Sequence, residues 1–99
     1  MTFEDPIECY EAIGNSLVEA VREQWKGIQV EALLSGSSVD LLVEFEKPNG
    51  QIGNIPYIPM LARYFYDLGG LVSTEEKGIF RKCTFVLRPD GDFEVDFEY

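Results

Sequence analysis

The chain has 99 residues, 45% of them hydrophobic, with 18 acidic residues against 8 basic ones, no histidine and a net charge of −10. That length makes one domain with one ordinary core. That charge argues against direct binding to nucleic acid or to anionic membranes, whose phosphates would be repelled, and favours solubility and a basic partner.

The N-terminal stretch, MTFEDPIECYEAIG, is acidic and lacks the basic start and apolar run of a signal peptide. No run of about 18 apolar residues is present to span a membrane. The expected location is therefore cytoplasmic, and Cys9 and Cys83 read as free thiols, since a reducing cytosol disfavours a disulfide between them.

Residues 6–25 read as the first helix. Asp5 suits the N-cap, Pro6 the first helical position, and Glu8 completes a start like a capping box. At 100° per residue, Ile7, Tyr10, Ile13, Gly14, Leu17, Val18, Val21 and Trp25 share one face. Gly14 lies within that apolar stripe and suggests a close approach to a sheet, and Gly27 ends the helix.

Residues 28–34 and 39–46 alternate like strands, joined by the hairpin loop SGSS. Pairing Leu34 with Val39 sets Val30 opposite Val43, Ala32 opposite Leu41 and Ile28 opposite Phe45, an apolar face throughout. KPNGQIGN is a turn, with room for a short third strand after it. A second helix follows in IPYIPMLARYFYDLGG, where Pro56 and Pro59 compete for its start and Gly69-Gly70 stop it. Residues 71–78 form a loop, with a helical turn at STEE as an option. Residues 81–99 are a hairpin, RKCTFVLR and DFEVDFEY around PDG, with Gly91 left-handed. Its register pairs Leu87 with Phe93, Phe85 with Val95 and Cys83 with Phe97.

These elements predict a single α+β domain over residues 1–99, in the order α-β-β-(β)-α-β-β. It has two layers: an antiparallel sheet of two hairpins, plus the optional short strand, and two helices on one face. The expected core is Tyr10, Ile13, Leu17, Val21, Val30, Val43, Leu61, Phe65, Phe85, Leu87, Val95 and Phe97.

If both hairpins join one sheet, their other faces coincide. Glu31, Asp40, Glu44, Glu46, Asp92, Glu94, Asp96 and Glu98 then stand together against Lys82 and Arg88, with Leu33, Leu42 and Val86 among them. Such a face is either a solvated sheet surface, where charge is normal, or a docking face whose apolar anchors are ringed by carboxylates. The candidate partner-binding residues are Glu31, Asp40, Leu42, Glu44, Asp92, Glu94, Asp96 and Glu98.

Nothing in the sequence suggests catalysis. Histidine is absent, no glycine-rich phosphate loop occurs, and neither cysteine has a histidine to activate it. The acids of DFEVDFEY point along a strand and do not converge as a calcium loop would. No enzyme, cofactor or metal site is expected.

GSSVDLLVEFEKPNG and the terminal DGDFEVDFEY resemble the YezG-like immunity proteins, bacterial antitoxins encoded beside polymorphic toxins. The resemblance runs in outline over residues 7–99: an acidic helix ending near a Trp, a meander opened by a Gly-Ser-Ser turn, a helix and a closing hairpin. It implies a direct, stoichiometric inhibitor of a cognate toxin domain, expected to be basic and of nuclease type, and it brings no catalytic motif. Two other classes stand beside it: a non-toxin module that binds a basic protein or peptide, and a small domain whose charge serves solubility alone.

Overall fold

The computed structural model describes residues 4–99. Its elements are α1 (Pro6–Ala20), β1 (Gly27–Ser35), β2 (Ser38–Glu46), β3 (Ile52–Asn54), α2 (Leu61–Val72), β4 (Lys82–Leu87) and β5 (Phe93–Glu98). The five strands make one antiparallel sheet in the order β3-β2-β1-β4-β5. This is the expected α+β architecture, and a short third strand does form an edge of the sheet, although it lies at Ile52–Asn54, within the stretch expected to be turn and not after it.

Both hairpins keep the expected registers. Val30 pairs with Val43 and Ala32 with Leu41 in the first; Phe85 pairs with Val95 and Cys83 with Phe97 in the second. A register slip of one residue would turn every one of these side chains to the opposite face. The hairpins join through β1 and β4, where Val30 meets Phe85 and Ala32 meets Cys83, so the two apolar faces become one. Strand pairing in the first hairpin extends to Ser35 and Ser38, which shortens its turn to Gly36-Ser37. The second turns through three residues: Gly91 N donates to Arg88 O at 3.0 Å, Arg88 N donates to Asp92 O at 2.8 Å, and Gly91 has φ 92.

The first helix begins as expected. Asp5 is extended, at φ −145, and its carboxylate accepts from Glu8 N at 3.0 Å, with Pro6 following. It ends five residues early, at Ala20, where the expectation was 25. Val21 is already extended, and Lys26 N donates to Glu46 O at 2.7 Å, which draws the chain onto the end of the sheet. Val21 and Trp25 still pack on the core. Their apolar character reflects that burial and continues the helical period five residues past the helix itself. Ile7 and Val18, placed on the apolar stripe by the same period, are 63% and 50% exposed.

The second helix corrects a reading of glycine. It runs through Gly69-Gly70 to Val72. Gly69 is buried, and a Cβ there would stand 3.0 Å from both Leu34 Cδ2 and Ile79 Cγ2. The close approach expected at Gly14 occurs here, between α2 and the end of β1. A Cβ on Gly14 would meet nothing within 4 Å. Residues 75–77 form a turn, closed by Gly78 N on Thr74 O at 2.7 Å, in place of a helical turn at STEE.

The core lies between the inner sheet face and the helices. Ile13, Leu17, Val30, Leu61, Phe65 and Phe85 have no exposed surface, and Val21, Val43 and Leu87 are buried too. Tyr10, Val95 and Phe97 are only partly buried against it. Ile58 and Phe80, from the segments leading into α2 and β4, complete the core from outside the regular elements.

Candidate functional site

The sheet face opposite the helices carries the candidate residues, and the pairings across β2, β1, β4 and β5 order them in rows. One row reads Asp40, Leu33, Lys82, Glu98; the next Leu42, Glu31, Thr84, Asp96; the third Glu44, Gln29, Val86, Glu94. Seven of the eight candidates therefore share this face of the strands. Asp92 stands just before β5, at the hairpin turn, where its carboxylate meets Arg88 Nη1 at 3.9 Å. Along β5 the three acids are about 6.8 Å apart, because alternate residues of a strand share a side.

The charges on this face are unequally free. Arg88 Nη2 donates to Glu94 Oε1 at 2.7 Å, and Lys82 lies 3.8 Å from both Glu31 and Glu98. Exposed pairs of this kind add little stability, but they do cancel charge locally. Among the described residues Asp40, Glu44 and Asp96 make no ion pair. Glu31 and Glu44 are half-buried between neighbouring strands, whereas Asp40, Glu94, Asp96 and Glu98 are exposed.

Apolar surface is set into this field. Leu33 and Leu42 sit diagonally on β1 and β2 and are 49% and 48% exposed. Near the far end of β2, Gly27 lacks a side chain and leaves a hollow of about 210 Å³, lined also by Gln29, Glu44, Ile52 and Val86. Ile52 had no place in the sequence reading. Its three-residue strand follows a turn, and only the pairing of Ile52 with Glu46 puts it on this face. The one available signal was the alternation in QIGN.

Among the described residues no three carboxylates or thiols gather closely enough to hold a metal ion. The two cysteines lie on the other side of the sheet, free and fully buried. Cys9 Sγ donates to Tyr64 O at 3.1 Å. Burial pushes both thiols up to about 12, with smaller contributions from Asp67 at Cys9 and from Cys9 and Asp96 at Cys83. They are protonated at neutral pH, the unreactive form. What the outer face can do chemically is accept hydrogen bonds and charge from Lys and Arg over a broad, shallow surface. No family model matches this chain, and no curated protein matches it.

Proposed function

We propose that the protein is an immunity protein. It binds a basic toxin domain one to one through the outer sheet face and blocks it, acting in the cytoplasm and with no catalysis of its own. One observation carries this reading: the carboxylates collect on the side of the sheet that carries no helix, around two half-exposed leucines. Eight acids against two bases there account for six of the ten net negative charges of the chain. Charge serving solubility alone needs neither one-sidedness nor apolar anchors within it. The resemblance of GSSVDLLVEFEKPNG and DGDFEVDFEY to YezG-like immunity proteins supports the same conclusion.

The physical role of the acids is twofold. Complementary fields raise association toward about 10⁸–10⁹ M⁻¹s⁻¹ at low salt, which protects a cell that makes the toxin itself. Leu33 and Leu42 would then be desolvated at the centre of the contact, where binding energy concentrates.

The test begins with the product of the neighbouring reading frame, expressed with and without this protein. Rescue of growth is the expected result; a harmless product, or toxicity that is not relieved, sinks the toxin reading and leaves a module for some other basic protein. With the toxin in hand, Asp40, Glu44 and Asp96 are changed together to Lys. Association should slow by about tenfold or more and lose most of its salt dependence, while the melting temperature holds. If that variant stays folded and binds at the wild-type rate and affinity, the face is solvated surface.

A further inference from the structure

The sheet has two edges, and they are finished differently. β3 is three residues long, and a Cβ at its Gly53 would overlap the Phe45 ring. β5 is six residues long and forms the other edge, with no described strand beyond it. An edge of that length presents a row of unpaired backbone groups.

The hairpin register says which groups these are. Arg88 N donates to Asp92 O, so Asp92 faces β4. By the alternation of an antiparallel ladder, the backbone groups of Glu94, Asp96 and Glu98 face β4 too. Those of Phe93, Val95 and Phe97 face the open side. The side chains of the same three residues lie on the inner face, where helix cover runs out: Phe93 is 37% exposed and the other two are half-buried. At the Phe93 end of β5 a largely apolar groove of about 330 Å³ runs along α1, lined by Tyr10, Gly14, Val18 and Phe93, with Glu11 and Asn15 at its polar side. The vacant position of a Gly14 Cβ widens it. One strand thus has an open ladder, an apolar groove on its inner side and a row of carboxylates on its outer side.

We propose that β5 accepts a sixth strand, an extended segment of a basic partner in which apolar residues alternate with Lys or Arg. The apolar side chains enter the groove along α1, and the basic ones stand opposite Glu94, Asp96 and Glu98. Backbone pairing supplies affinity and the alternating side chains supply selectivity, as in other strand additions. Charge decides the occupant. Paired residues in a sheet share a face, so a second copy adding β5 to β5 would set carboxylate against carboxylate along the outer side, which is destabilising. A strand with bases at alternate positions turns each of those pairs favourable. Asp96 matters most, because it is central and makes no ion pair among the described residues, whereas Glu94 is held by Arg88 and Glu98 by Lys82. The inference rests on the reading of a basic partner and adds to its contact on the open face a second one, at the adjoining edge and groove.

The probe is a short acetylated peptide alternating Lys with Val, titrated into the whole protein at low salt. Backbone amide shifts and hydrogen exchange are followed by residue. Two control peptides are used: the same composition in two blocks, and the alternating sequence with its backbone nitrogens methylated on alternate residues. The alternating peptide should slow exchange at Phe93, Val95 and Phe97 by about tenfold or more at saturation. Asp96→Lys should weaken it about tenfold, and Asp40→Lys, the same charge change three strands away, should weaken it far less. Either control peptide binding equally well would overturn the strand addition, as would failure of the alternating peptide to bind. So would shifts centred on Leu33 and Leu42 with sensitivity to Asp40→Lys, although that outcome supports a basic partner on the open face. Concentration-dependent protection of the β5 amides without peptide would make a second copy the occupant and also overturn it. Rescue from the toxin is scored separately, so either idea can fall alone.

Discussion

Val30, Phe85 and Val95 stand in one row across β1, β4 and β5, all on the inner face. The first two have no exposed surface, while the third is half-buried. Each occupies an apolar position of an alternating strand, so pattern does not separate them. The width of the helical layer does. α2 lies against β1 and β2, and α1 lies against α2, reaching the sheet through Tyr10, whose ring meets Phe85 and Phe93 at centroid distances of 6.4 and 5.5 Å. Two helices about 10 Å across cover the middle of a five-stranded sheet and leave its β5 margin partly bare. Alternation tells which side of a sheet a residue takes; neighbouring layers decide how deep it lies.

The contrast between centre and margin should be largest on truncation. Phe85→Ala should cost about 3–5 kcal/mol, through lost transfer and a cavity in the core beside Tyr10 of α1. Val95→Ala should cost roughly 1 kcal/mol, since its methyl groups are only partly removed from water. Urea unfolding with a common slope measures both. Equal losses would abolish the distinction. A typical domain has about 5–15 kcal/mol in all, so the Phe85 variant is measured at low temperature.

A second contrast lies in alkaline titration, because both thiols belong to the centre. Their folded values, pushed up by burial to about 12, lie above the ordinary 9.0. Below pH 9 both states keep the protons and the thiols make no difference. Above it the unfolded chain releases protons that the folded one retains, so stability falls as pH rises towards 12, by at most about 1.4 kcal/mol per pH unit for each thiol. Replacing Cys9 and Cys83 together with Ala should flatten the fall in the urea midpoint between pH 9 and 10. It should leave partner binding at neutral pH intact. An unchanged slope would mean that the thiols ionise freely, against their burial.

Two of the helical glycines, Gly14 and Gly69, sharpen the comparison further. Gly69→Val should destabilise by about 1–3 kcal/mol, since the new methyl groups would be forced against Leu34 and Ile79. Gly14→Ala should stabilise by about 0.5–1 kcal/mol, because it adds helix propensity in open space. The melting temperatures of the two variants should move in opposite directions. A loss at Gly14 would show that α1 needs that gap in the folded monomer.

Much of this protein was legible in its sequence where a property depends on neighbours along the chain. The Asp5-Pro6-Glu8 start of α1 is local hydrogen bonding. The registers of both hairpins follow from a period of two and a turn of defined length, since any slip would put Phe85 and Val95 among the carboxylates. The row of acids on β5 and its side of the sheet follow from the same period. Tertiary structure alone decided the rest. It ended α1 at Ala20 and carried Lys26 onto Glu46 at the end of the sheet. It made Gly69 a notch and left Gly14 facing open space, a difference set by what lies opposite each glycine. It brought Phe80 and Ile58 into the core from irregular segments and added Ile52 to the outer face by a short pairing. Among the described residues it also left Asp96 without the ion pairs that engage Glu94 and Glu98, because Lys82 and Arg88 have finite reach and are anchored at the two ends of β4. A period specifies direction; distance, cover and partners come only when separate parts of the chain meet.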